Sequence, residues 1–336
     1  MDVLTSEMRL ASRAARVGLD RVVVPSRLGE VVVLASQRCG DVALLLLHGA
    51  AGSWATWLPL MEEAERLGRP LTNVVAIDLP GWGESGALRQ HSSVEQMTDA
   101  VLDVVLALGY SEWSVAGHSL GGHLALDLAA RMPDATQAVT LVSATGREAV
   151  ELLRHPVRNF AALPWLAGML AAMRLLNMLG PVGLMFVRWL HLLGWLRSWT
   201  SPLFACPRRI DDEVIDALSR EVRPQAFLRA AAAARNFDEW VWGGIRCPVL
   251  VLRCERDVFV GSGDAAWFDE HLAVVSHGVI AGAGHFAHAE QPGLVLDRML
   301  SANLATPESG WPSPSRHGRT LCHLVAPLLA GATLRP

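Results

Sequence analysis

Paired cysteines are the first thing missing from this chain. Its five cysteines, Cys39, Cys206, Cys247, Cys254 and Cys322, are scattered, odd in number and nowhere spaced C-x-x-C. That spacing argues against a zinc site or a disulfide framework and fits reduced thiols in a cytoplasm. Charge is also scarce: Asp, Glu, Lys and Arg make up 18% of the residues, and the formal net charge is -4. There is no basic stripe with interleaved aromatics, so nucleic acid is not an expected partner. The opening MDVLTSEMRLASRAARVGLDR has no long apolar stretch and no small-residue cleavage site after it. Residues 1–20 therefore read as an amphipathic helical segment rather than a secretory signal. No internal repeat is visible.

What is present is apolar material with a changing period. Hydrophobic residues make up 51% of 336 positions, enough for one large core with an inserted subdomain. Strand-like runs fall at Arg21–Val24, Val31–Ser36, Ala43–Leu47, Asn73–Ile77, Trp113–Ala116, Ala138–Ser143, Val249–Arg253 and near Gly278–Ala281. Helical patterns lie between several of them. One runs over Val94–Leu108, opened by Ser93 and Gln96 at capping-box spacing and closed by Gly109; a last one follows Pro292 to about Asn303. Such alternation predicts an α/β fold, a mostly parallel sheet with helices on both faces and ligands at the carboxyl ends of its strands. The core is expected over 21–145 and 247–304.

Between 146 and 246 the alternation stops, and Leu, Ala, Met and Trp take helical spacing, which predicts an all-α cap. From Leu152 to Ile210 there is no Asp or Glu, whereas Arg154, Arg158, Arg174, Arg188, Arg197, Arg208 and Arg209 are present with Trp165, Trp189, Trp195 and Trp199. Three readings stay open for this stretch. Its apolar faces could pack on the main domain, line a tunnel for a hydrophobic substrate, or rest peripherally on an anionic membrane surface. Leu175–Val187 is too short to span a bilayer and contains Gly180 and Pro181. Residues 305–336 open with a Pro/Ser/Gly-rich linker-like run and close on an apolar one.

The chemistry gathers at strand ends. In VAGHSLGGHLAL, Ser119 sits where a buried strand turns into the helix Leu120–Arg131, between Gly117 and Gly121. A hinge that tight leaves the side chain pointing outward, beside the unpaired N–H groups of the first helical turn. In LLLLHGAAGSW, another strand ends at His48 and Gly49, and the turn can aim the Ala50 N–H at the same spot as that of Leu120. Two such donors would hold an oxyanion. His48 itself reads as structural. In AIDLPGWGESG, Asp78, Pro80, Gly81 and Gly83 suit a sharp reversal, with Trp82 a candidate to touch substrate. PVLVLRCERD ends at Asp257, and AGAGHFAHAEQP carries His285. A serine hydroxyl needs a base, and the base an orienting acid; the three types occur at three strand ends in the order Ser, Asp, His. Asp264 and Asp269 are competing acids, but they fall in the following helix. His118 is a candidate pocket residue. His123 and His288 lack a carboxylate at matching spacing, so no metal or cofactor is expected.

HGAAG, DLPGWGES, GHSLGG, the strand-terminal Asp257 and GAGHFAHAEQP, in that order, resemble the α/β-hydrolase fold superfamily over about residues 20 to 305. The resemblance implies an eight-stranded sheet, a nucleophile elbow at Ser119, acid Asp257, base His285, oxyanion donors at Leu120 and Ala50, and a variable cap over 146–246. It also implies aspartate at the position of Ser119 in epoxide hydrolases and haloalkane dehalogenases, so serine favours acyl chemistry. The expectation is a cofactor-independent serine hydrolase of an ester or thioester with a hydrophobic acyl part, with Trp165, Trp82 and His118 in its pocket. The alternatives are an acyltransferase, cyclase or carbon–carbon bond hydrolase with the same triad, and more distantly a non-catalytic small-molecule receptor.

Overall fold

The computed structural model of the chain describes residues 5–195, 201–261 and 263–304. Arg197, Trp199 and the tail 305–336 lie outside the described residues. Eight strands, β1 (Leu19–Ser26), β2 (Gly29–Ser36), β3 (Val42–Leu47), β4 (Val74–Ile77), β5 (Glu112–His118), β6 (Thr136–Val142), β7 (Val249–Cys254) and β8 (Val275–Ile280), form one sheet. Their order is β1-β2-β4-β3-β5-β6-β7-β8. The β1–β2 and β2–β4 pairs are antiparallel and the rest parallel, as expected for this fold class.

Alternate residues along each strand feed opposite layers, as the two-residue period of a pleated strand requires. Leu45, Leu47, Val75, Ile77, Val115 and Val139 face a core shared with the helices Val94–Ala107 and Leu120–Arg131. Leu44, Leu46, Val74, Ala76, Ala116 and Val142 face the helices Ser6–Arg16, Leu58–Arg66 and Pro292–Leu304 on the other side. Thr5 caps the first of these helices. Its Arg13 hydrogen-bonds Glu62 of the helix Leu58–Arg66 at 2.6 Å and Asp211 at 2.5 Å, tying the sheet layer to the inserted region.

Several strand boundaries differ from the sequence pattern by one to three residues, and two of them have a clear physical reason. β6 stops at Val142 because Ser143 turns to φ 47°, outside extended geometry. β8 starts at Val275, paired with Val249, three residues before the apolar signal; it is an edge strand with much of its length exposed, so alternation is blurred.

Among the described residues there is no strand between Val142 and Val249. Helices Arg147–Arg154, Pro164–Leu179, Pro181–Leu192, Asp212–Arg220 and Pro224–Arg235 fill the interval. They share a small core of Ala149, Leu152, Leu163, Leu170, Met173 and Phe227.

Candidate active site

Parallel register brings the strand-end motifs side by side. Leu47 pairs with Gly117, so the turn His48–Ala50 and the turn His118–Leu120 leave adjacent strands in step. Order reverses across this pair, the place where an open sheet leaves a crevice. Ser119 stands at φ 50°, ψ -117°, a conformation costly for a residue with a Cβ. Its carbonyl accepts the N–H groups of Gly122 at 3.0 Å and Thr145 at 3.2 Å, which hold the turn. The elbow helix passes so close to β3 that a Cβ on Gly121 would lie 2.2 Å from the Leu47 carbonyl oxygen; only glycine fits.

His285 and Asp257 meet. The His285 Nδ1–H donates to Asp257 Oδ2 at 2.9 Å, and the Phe259 N–H donates to Oδ1 at 2.8 Å. Because Nδ1 is the donor, Nε2 is the ring nitrogen left unprotonated. Burial alone would raise the Asp257 carboxyl, but the His285 charge and hydrogen bond, the Phe259 N–H and the Ser143 hydroxyl outweigh it, so its pKa is lowered. The competing acids lie elsewhere. Asp269 pairs with His277 at 2.8 Å, and Asp264 accepts the Glu148 N–H at 2.9 Å at the head of the first inserted helix, Arg147–Arg154.

Asp264 provides a test of stability against pH. Burial, opposed by backbone N–H donors and reinforced by the Glu148 charge, pushes its pKa from 3.8 up to about 7. The folded state thus binds this proton more tightly than the unfolded one. The stabilisation is complete below the unfolded value and is lost as pH rises through about 7. Urea unfolding at successive pH values is expected to show the wild type losing stability relative to Asp264→Asn across that window. A difference that does not vary with pH overturns the assignment.

Two backbone N–H groups beside the elbow have no protein acceptor among the described residues. Among the described residues neither Ala50 nor Leu120 donates its backbone hydrogen to another residue, and both line the cavity that Ser119 and His285 line. The turn carrying Ala50 touches the elbow: a Cβ on Gly49 would lie 2.9 Å from Ser119 Cβ. His48 locks this turn, its Nε2 accepting the Leu79 N–H at 2.9 Å and its Nδ1–H donating to the Gly49 carbonyl at 2.7 Å. Burial lowers its pKa to about 4, so the ring is a neutral strut. Asp78 plays the matching part in the next loop, accepting the N–H groups of Trp54 and Glu84, each at 2.9 Å.

The cavity measures about 440 Å³ and lies between the elbow and the inserted helices. Leu166, Met169, Leu170, Met173, Phe227 and Phe259 are among its walls, and Trp165 lines it as expected. Two other expected pocket residues do not line it. Trp82 is fully buried in the main core, edge-on to His48 with ring centroids 6.3 Å apart, because the reversal that carries it folds inward. His118 is also fully buried; its Nε2–H donates to the His285 carbonyl at 2.9 Å, so it supports the loop from behind. Burial first, then the neighbouring imidazoles of His288 and His285, hold it well below the usual histidine range. His123 packs against Phe237 and Trp242, and His288 against Trp57 and His118.

Three contributors escaped the motif reading. Ser143, just past β6, pairs its hydroxyl with Cys254 Sγ at 3.0 Å and helps to lower the Asp257 carboxyl. Glu290 is buried and accepts the Gly284 N–H at 2.6 Å and the Cys206 N–H at 2.7 Å. The third is the stretch Ser201–Cys206, whose Leu203 carbonyl accepts the His285 N–H at 2.8 Å. Glu290 lies in the AEQP run beside His285 and was findable there. The cap stretch carries no local signal, since its partners are more than eighty positions away.

An open parallel sheet whose strand ends present an elbow serine, a histidine and an aspartate beneath inserted helices defines a hydrolase scaffold. Residues 42–292 match the alpha/beta hydrolase fold family, and the chain belongs to it. The dihydrolipoyllysine-residue acetyltransferase component of the acetoin cleaving system of Pseudomonas putida is 31% identical over 110 residues, 32% of this chain and 28% of that protein. The match therefore spans under a third of that relative's length. A crystal structure of a membrane phospholipase A, a bacterial virulence factor, superposes with TM-score 0.65 at 20% identity over 88% of this chain and 91% of that one. An epoxide hydrolase superposes with TM-score 0.66, also at 20% identity, over 85% and 99%. At these identities the two structural likenesses are likenesses of fold.

Proposed function

We propose that the protein is a serine hydrolase of esters or thioesters with a large hydrophobic acyl part. The observation that carries this reading is the strained Ser119 sharing one apolar cavity with the Asp257-bound His285. Serine in place of aspartate at the elbow separates it from epoxide chemistry. His285 Nε2 takes the Ser119 hydroxyl proton as Oγ bonds to the substrate carbonyl carbon, and the carbonyl electron pair moves to oxygen. The Ala50 and Leu120 N–H groups hold that oxyanion. Collapse breaks the bond to the leaving group, which departs with the proton from His285. A water molecule, deprotonated by the same nitrogen, then releases the acid and restores the serine. Asp257 keeps the imidazole in the required tautomer throughout.

The apolar walls support an alkyl or polycyclic acyl part over a sugar or a charged peptide. A fluorophosphonate is expected to label the chain once, at Ser119, as read by peptide mass spectrometry. Among p-nitrophenyl esters and acyl thioesters of graded length, kcat/KM is expected to rise with acyl length until the cavity is filled. Labelling elsewhere, or a flat length profile, overturns this reading. Product analysis with an added alcohol tells hydrolysis from acyl transfer by the same residues.

A further inference from the structure

The cap carries apolar surface on the side away from the cavity as well. Helices Pro164–Leu179 and Pro181–Leu192 form a hairpin bent by 118°. Leu166, Met169, Leu170 and Met173 of the first helix line the cavity. Its opposite side leaves Leu175 56% and Met178 83% exposed, and the second helix leaves Met185 64%, Trp189 51% and Leu192 81% exposed. A surface helix ordinarily turns a polar face to water, and a contiguous apolar patch marks a contact surface.

Charge identifies what covers it. The chain is acidic overall at -4, yet no Asp or Glu occurs from Leu152 to Ile210. Arg158, Arg174 and Arg188 are exposed on the same stretch, with Trp165 and Trp189 beside them. We propose that this hairpin docks the protein on an anionic lipid leaflet, with its tryptophans and methionines at the headgroup–acyl boundary and its arginines on phosphates. Helices of 16 and 12 residues are too short to cross the hydrocarbon layer, so the hairpin lies in the surface. A second copy fits less well, because a two-fold contact would set identical arginine-bearing surfaces against one another.

Docking also gives the cavity its supply. Trp165, Gly168 and Ala172 both line the cavity and are exposed, so its rim is part of the hairpin. A hydrophobic substrate can pass from the acyl layer to Ser119 without crossing water. This supply step rests on the hydrolase reading; the docking does not.

The test is flotation of the full chain with vesicles of phosphatidylcholine alone and of phosphatidylcholine with phosphatidylglycerol. At about fivefold per arginine, the hairpin's two arginines favour the anionic vesicles by about twenty-fivefold, and salt erodes the preference. Met178→Glu combined with Met185→Glu is expected to weaken flotation by roughly tenfold or more. It should leave hydrolysis of a water-soluble short ester unchanged. Ser119→Ala should float like the wild type, so failure of docking and failure of the hydrolase reading are read separately. A wild type that does not float, or one that floats equally well without phosphatidylglycerol, overturns the proposal. So does a dimer that the paired glutamates dissociate while neither form binds vesicles.

Discussion

Ser119→Ala is expected to lower kcat/KM for an activated ester by at least about 10⁴-fold, because the variant lacks the hydroxyl at the elbow, beside His285, that would take the acyl part. Its unfolding midpoint should stay within about 2 °C of the wild type. Alanine keeps the Cβ that makes φ 50° unfavourable, so the backbone strain is unchanged. Ser119→Gly separates the two properties. Removing the Cβ relieves the strained angle, and the variant should be inactive yet more stable by about 1 kcal/mol, less the extra entropy its unfolded chain gains. A nucleophile held in strain predicts that trade of stability for activity. Residual turnover within tenfold of wild type in Ser119→Ala would remove Ser119 from the mechanism, and a less stable glycine variant would remove the strain argument.

Much of the arrangement was legible because local physics dictates it. A strand that turns abruptly into a helix needs small residues on either side, so Gly117 and Gly121 mark the elbow in the sequence itself. Asp257 lies just past β7 and His285 a few residues past β8, and a parallel sheet places both at the same edge. Trp82 was misplaced for a different reason. Its neighbours establish a tight reversal, but not whether the indole folds toward the crevice or the core; the core won, with Trp82 fully buried. His118 was misplaced likewise, because the residue before an elbow serine points to the opposite face from the serine, here under the His285 loop. The bracing of that loop by Leu203, Cys206 and Glu290 is a long-range contact between irregular segments, and periodicity carries no record of such contacts. Which way the hairpin turns its apolar sides stayed open among three readings, since a helix apolar all round carries no periodicity that tells a buried side from an exposed one.

Asp257→Asn is expected to lower kcat by about 10⁴-fold with little change in fold. The reason lies in what surrounds the carboxylate. One oxygen accepts from Phe259 N–H at 2.8 Å and the other from His285 Nδ1–H at 2.9 Å. An asparagine has a single acceptor oxygen, and the immovable backbone donor of Phe259 claims it. The amide NH₂ is then turned toward His285, where it can be met only by an unprotonated Nδ1. That forces the proton onto Nε2, the atom that must accept from Ser119, and the base is lost while the packing survives. The measurement is kcat against pH together with circular dichroism of both proteins. A folded Asp257→Asn variant that retained wild-type turnover would show that Asp257 does not set the tautomer. The same variant should still react with a fluorophosphonate, though far more slowly, because the N–H groups of Ala50 and Leu120 are untouched by the change.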